Sequence, residues 1–295
     1  MTRKPENRFR DVRWQVGPAL ASLAALALLF AGDVLRAQQD LPARLQKVFM
    51  AGVQAQKAGE LDAAEKAFLR VLREGGDVAF VYNNLGIVYQ QRGVHAKAIE
   101  QFRKAIRLNP TYAAPRILLG ASLLATGQVP EATRSLEKAV ILQPGEPLAR
   151  LQLAKAYERG NNFAGVVEQY RALREIAPQE PEYAYQLGNA YLRLAAWCYQ
   201  EIARINPLSA RGYQATAETY RMRGRNDIAI QAFQRAAAAD PKLPEIHLAL
   251  AEIYLEQGKP DVARREIEQE LEIAPESAMA LALKKKIEAA VAPNP

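Results

Sequence analysis

The 295-residue sequence contains a single cysteine, Cys198, so no internal disulfide can form. It stands in the context Trp197-Cys198-Tyr199 and reads as a small core residue. Histidine is nearly as scarce: His95 and His247 lie far apart, and no cysteine–histidine spacing of a zinc site occurs. There is no G-x-S-x-G turn, no P-loop and no G-x-G-x-x-G fingerprint. The acids Glu266, Glu268, Glu270 and Glu272 recur on one expected helix and read as a solvated face. Together these absences argue against an enzyme, a metal site or a cofactor. What remains is binding or assembly.

Charge adds little to this. The chain carries 39 basic and 32 acidic residues, a net +7. Six of the basic and three of the acidic residues precede Gln38, which leaves 33 against 29, or +4, for the rest. A modestly basic solvated surface accounts for this without nucleic acid. The first 37 residues have three parts: a basic start with Arg3, Lys4, Arg8, Arg10 and Arg13, an apolar run from Trp14 to Ala31, and Leu35-Arg36-Ala37. That layout predicts a secretory signal peptide over residues 1–37, cut before Gln38. The alternative is an uncleaved N-terminal membrane anchor, the one route by which the membrane would be a partner. Either way the expected location is periplasmic or otherwise extracytoplasmic.

What the sequence does have is a period. Tyr82-x2-Leu85-Gly86-x2-Tyr89 is followed by Ala98-x3-Phe102-x2-Ala105-x4-Pro110. Thirty-four residues on, Arg116-x2-Leu119-Gly120-x2-Leu123 leads to Ala132-x3-Leu136-x2-Ala139-x4-Pro144. Thirty-four residues back, Val48-x2-Ala51-Gly52-x2-Ala55 leads to Ala64-x3-Phe68-x2-Val71. The prolines 110, 144, 178, 207, 241 and 275 carry the register onward, with one step of 29 among steps of 34. Self-similarity at such a period marks a stacked array. The first cluster steps along one helix face, a glycine near Gly93 ends that helix, and the second cluster forms the inner face of an antiparallel partner. Such a hairpin cannot bury its apolar face alone and needs neighbours.

The pattern resembles the tetratricopeptide repeat from about Leu45 to Ser277, although no unit keeps that family's tryptophan. The resemblance implies an all-α helical solenoid of about seven helix-turn-helix units. The expected parts are four units over 45–180, a shortened fifth over 181–207, further units over 208–277 and a capping helix over 278–291. The apolar stripe of that cap is Met279, Leu283, Ile287 and Val291. In the fifth unit no glycine, proline, asparagine or aspartate stands between Asn189 and Asn206 to make a bend, which predicts one helix from about Pro181 to Ile205. The alternative is a tight kink near Leu194 to Ala196.

If each first helix uses one face for its hairpin partner, an opposite stripe remains. In the second unit it is Phe80, Asn83, Ile87 and Gln90; in the third it includes Ile117 and Leu124; in the fourth, Leu148, Leu151 and Lys155. The sixth unit is polar there, with Arg211, Gln214, Glu218 and Arg221. The resemblance places first helices on the concave side, so these nine residues of units two to four are expected to form an apolar groove for a protein or peptide. The alternative is that they are covered and belong to the core. Asn83 and Asn84 sit where the family uses asparagine against a peptide backbone. The charged grip on a peptide's terminal carboxylate is excluded, because Ala114, Ile117 and Leu118 offer no charge. The expected function is a non-enzymatic interaction scaffold of the cell envelope. The alternatives are a structural subunit of an envelope assembly, or an accessory subunit of an enzyme.

Overall fold

The computed structural model describes residues 40–291. The expected signal peptide or anchor over residues 1–37 lies outside the described residues. Among the described residues there are fourteen helices and no strand, and no helix is long and apolar enough to cross a membrane. The chain divides into two units between Leu187 and Gly188.

The first unit holds four hairpins: α1 (Ala43–Lys57) with α2 (Leu61–Arg73), α3 (Ala79–Gln91) with α4 (His95–Leu108), α5 (Ala113–Ala125) with α6 (Val129–Leu142), and α7 (Pro147–Arg159) with α8 (Phe163–Ile176). The turn in the second hairpin shows why the chain reverses. Gly93 takes φ 74°, Gly93 N–H donates to Gln90 O at 2.9 Å, and Val94 N–H donates to Tyr89 O at 2.9 Å. The left-handed conformation is open to glycine at no steric cost. The fourth hairpin uses Asn161 at φ 57° in the same register, asparagine being the other residue that accepts this conformation.

Each of the first three hairpins closes on a small-against-large contact. A methyl group added to Gly86 would stand 2.5 Å from the Phe102 ring, and one on Gly52 would stand 2.8 Å from Phe68. Leu136 presses on Gly120 in the same way. Ala98, Phe102 and Ala105 are fully buried. Burying a phenylalanine side chain is worth about 1.5–3 kcal/mol, so the contacts of Phe68 and Phe102 each contribute substantially to stability.

Neighbouring hairpins are joined by apolar and polar contacts. Phe49 lies between Phe68 and Phe80, tilted against the first and edge-on to the second, with ring centroids 5.5 and 5.1 Å away. The Tyr89 hydroxyl donates to Glu65 at 2.8 Å and the Tyr157 hydroxyl to Glu137 at 2.9 Å. Arg92 pairs with Asp62 and Glu65, and Arg103 with Glu131 at 2.6 Å. First helices also meet: α3 packs on α5, and α5 on α7.

Helix α9 (Pro181–Ile205) is one uninterrupted element of 25 residues, about 37 Å long at 1.5 Å per residue. Counting the 34-residue period from Gly59, Gly93, Gly127 and Asn161 arrives at Ala195. A left-handed alanine costs about 1–2 kcal/mol, and the helix runs through instead.

The second unit contains the rest of α9, the hairpins α10 (Ala210–Met222) with α11 (Asn226–Ala239) and α12 (Ile246–Glu256) with α13 (Pro260–Ile273), and the closing helix α14 (Ala278–Val291). Gly224 and Gly258 make the two turns at φ 69° and 71°. The face of α14 turned to the core is Ala280, Leu283 and Ile287, while Met279 is 66% exposed. The cap is therefore rotated by one position from the stripe expected at its start. A second correction concerns the acids of α13. Glu270 is buried, and its carboxylate accepts from Glu245 N–H at 2.7 Å and Leu248 N–H at 3.2 Å. It caps the start of α12, where the open backbone donors of a helix need acceptors. Glu266 is half-buried, 2.8 Å from the Nδ1 of His247. Both residues hold the fold together rather than facing water.

Candidate protein-binding face

Five of the nine residues expected to line an open groove are core. Phe80, Asn83, Ile87, Ile117 and Leu124 are all buried, and the four apolar ones belong to a single cluster that runs through the first three hairpins into the fourth. This overturns the apolar groove over units two and three. The physical reason is that a first helix inside a stack has first helices for neighbours as well as its own second helix. Gln90 Nε2 donates to Ser122 Oγ at 2.9 Å and to Leu118 O at 3.3 Å, tying α3 to α5. Arg159 on α7 donates to Leu124 O on α5. Phe80 meets the Phe49 ring at a steep angle of 78°. The signal was present in the sequence: α3 carries Val81, Leu85 and Val88, and α5 carries Leu118, Leu119 and Leu123, in addition to the proposed stripes. A helix apolar on every side is buried on every side.

The fourth unit behaves differently. Leu148, Leu151 and Lys155 are half-buried, spaced three and four residues apart on one side of α7. Leu148 packs at the margin of the core cluster. Lys155 has no carboxylate partner among the described residues. Its burial, and then the Arg159 guanidinium one turn away, push its pKa below the ordinary lysine value. A partly desolvated cation flanked by two leucines can accept an acidic group from a partner whose apolar side chains cover the leucines.

Two other polar surfaces were open to a functional reading. Between the second and third repeat units, Arg103, Arg107, Arg116, Arg134 and Lys138 line a shallow cleft with Glu131. Two of these cations are already engaged, Arg103 by Glu131 and Arg116 by Pro110 O at 2.9 Å. In the sixth repeat unit, Gln214 is buried, Arg211 donates to it at 2.6 Å, and Arg221 pairs with Glu252 at 2.5 Å. Burial above all raises the pKa of Glu218, against an opposing effect of Arg221, with smaller upward contributions from Glu252 and Glu245. Among the described residues no group of three or more His, Cys, Asp or Glu is placed to hold a metal ion. Cys198 is half-buried.

Comparison with known proteins agrees with this architecture. Family models described as tetratricopeptide repeat match residues 79–112, 123–198 and 220–287. The chain belongs to the tetratricopeptide repeat family. It is 24% identical over 155 residues to tetratricopeptide repeat protein 17 of Mus musculus, covering 50% of this chain and 13% of that protein. It is 24% identical over 148 residues to the TPR repeat-containing protein YpiA of Bacillus subtilis (strain 168), covering 50% of this chain and 35% of that one. The chain therefore spans well under two thirds of either relative. A solved tetratricopeptide repeat protein from Parabacteroides merdae ATCC 43184 superposes with a TM-score of 0.48 at 15% identity, over 83% of this chain and 98% of the other. The tetratricopeptide fold is one that suggests a scaffold for protein–protein interaction.

Proposed function

We propose that this chain is an exported, non-enzymatic adaptor that holds a protein or peptide partner against α7, where Leu148, Leu151 and Lys155 form the contact. The observation that carries the reading is Lys155: a half-buried ammonium beside two half-buried leucines, with no acid to neutralise it among the described residues. The partner's chemistry follows from that. It presents at least two apolar side chains and a carboxylate spaced to reach Lys155, in an extended or helical segment. The extracytoplasmic location rests on the three-part layout of residues 1–37.

The test is photo-crosslinking in the native envelope. A benzophenone amino acid replaces Leu151 in one strain and Ile141, on the outer side of α6 and 75% exposed, in a control strain. A discrete adduct from position 151 is expected, absent from position 141 and lost when Lys155→Glu is added. Equal adducts from the two positions, or an adduct indifferent to Lys155→Glu, would overturn the assignment of this face.

A further inference from the structure

The cleft between the second and third repeat units carries more positive charge than the stacking of hairpins calls for. Its walls are Arg103 and Arg107 on α4 and Arg134 and Lys138 on α6, with Arg116 of α5 between them. Five cations share a space of about 320 Å³ with one acid, Glu131. The 34-residue register shows that this excess belongs to these side chains and not to the repeat. One repeat back, the same positions hold three cations and one acid, and that acid, Glu100, already pairs with Lys104 at 2.7 Å. One repeat on, Glu137 and Glu168 stand in place of Arg103 and Arg134, and a single cation, Arg150, remains.

Within the cleft the donors outnumber their acceptors. Arg103 holds Glu131 at 2.6 Å. Arg116 donates one terminal nitrogen to Pro110 O at 2.9 Å, while its Nε is buried with no acceptor. Arg107, Arg134 and Lys138 are exposed and have no carboxylate partner among the described residues. The spacing of four residues sets Arg107 beside Arg103 and Lys138 beside Arg134, about 6 Å apart along each helix. The floor is apolar, made by the half-buried Ile106 and the buried Leu119.

We propose that this cleft is a docking surface for an acidic segment of a partner protein, one that presents at least two side-chain carboxylates and an apolar side chain. The inference is independent of the reading of α7, which lies on other residues. Charge selects the occupant, since like charges gathered on two walls repel one another until an acid stands between them. The chain itself shows the mode of contact: Glu131 of one repeat places a carboxylate on Arg103 of the repeat before it. The planar fork of arginine matches a carboxylate at each of the remaining sites. A flat lipid surface would meet the rims and leave the floor at Ile106 and Leu119 uncovered. A nucleic-acid strand would need cations ranged along a path longer than one helical turn and brings no side chain to that floor. The contact ends at Lys138; Ile141, a turn further on, does not line the cleft.

Fluorescence anisotropy on the full chain tests this with a labelled peptide of glutamates and two leucines, and with its glutamine counterpart. The glutamate peptide should bind and be released by salt, because exposed charges are screened beyond about 10 Å at 0.1 M; the glutamine peptide should not bind. Reversing two exposed cations, R107E with K138E, should weaken binding by about tenfold or more at unchanged helix content. K285E with K286E, at exposed positions of α14, changes the net charge equally and should have little effect. E131Q frees Arg103 and should tighten binding, a gain that misfolding cannot produce. Equal binding of the two peptides, equal loss from the α14 pair, or no gain from E131Q would each overturn the proposal. So would vesicles of phosphatidylglycerol that bind through Arg107 and Lys138 more tightly than the peptide does.

Discussion

Replacing Ile117 by glutamate separates a core position from a binding groove more sharply than any other single change. Ile117 is 1% exposed on α5, within the cluster that holds Phe80, Ile87 and Leu124. Truncation to alanine removes buried methyl groups and leaves a cavity, at a cost of about 2–5 kcal/mol. Glutamate loses the same apolar contacts and adds a buried carboxyl group, for about 1–3 kcal/mol more. The added part depends on pH with a definite sign. Burial raises the pKa of a carboxyl group in the folded state, so the penalty is smallest below its unfolded value and grows as pH rises above it. Urea unfolding of Ile117→Ala and Ile117→Glu at pH 5 and pH 8 measures both parts. The expected order at pH 8 is wild type, then Ile117→Ala, then Ile117→Glu, with the gap between the two variants narrowing at pH 5. Leu151→Glu, at a half-buried position, should cost much less than Ile117→Glu. If Ile117→Glu cost under about 1 kcal/mol at both pH values, Ile117 would be a surface residue and the core assignment of units two and three would be wrong.

Three further outcomes follow from the structure. Glu270→Ala should destabilise the part of the chain after Leu187 by about 1–3 kcal/mol, since one buried and one partly buried N–H group lose their acceptor, whereas Glu270→Gln should recover part of the loss; equal and small effects would show that the cap is dispensable. Tyr89 and Tyr157 have pKa values raised to about 12, by burial first and then by their hydrogen bonds to Glu65 and Glu137. A raised pKa gives stability that is complete below the ordinary tyrosine value of about 10 and is lost as pH climbs towards 12, so the double variant Tyr89→Phe, Tyr157→Phe should flatten the alkaline loss of thermal stability, and an unchanged alkaline limb would refute this. Mass spectrometry of the protein from its native host should find an N-terminus close to Gln38; an intact Met1 on membrane-bound protein would support the anchor instead.

How far the sequence could be read depended on which neighbours a residue has. The period, the hairpin turns and the small-against-large contact at Gly86 and Phe102 are local in sequence and were legible. So was the want of a bend in the fifth unit, whose cause becomes plain only when the structure shows positive φ at Gly93, Gly127 and Asn161 and the register then falls on Ala195. The burial of Ile87, Ile117 and Leu124 was signalled by α3 and α5 being apolar on every side, but what covers them was not legible, because contacts between α3, α5 and α7 join residues about 30 positions apart. Glu270 was misread for a related reason: a carboxylate on α13 answers backbone donors at the start of α12, more than twenty residues earlier. Lys155 was picked out by its place on a stripe, but its partial burial and its want of an acid partner among the described residues belong to the folded chain alone.

The continuity of α9 underlies the break in the repeat, and one distance measures it. Spin labels at Glu182 and Arg204, both exposed, in a C198S background and diluted with unlabelled chain to suppress intermolecular signal, report the separation of the two ends of the helix. A single helix predicts about 33 Å between the backbones at these positions, from 22 residues at 1.5 Å each. A fold-back near Leu194 to Ala196 would bring them within about 10 Å, the spacing of packed helices, and would contradict the account.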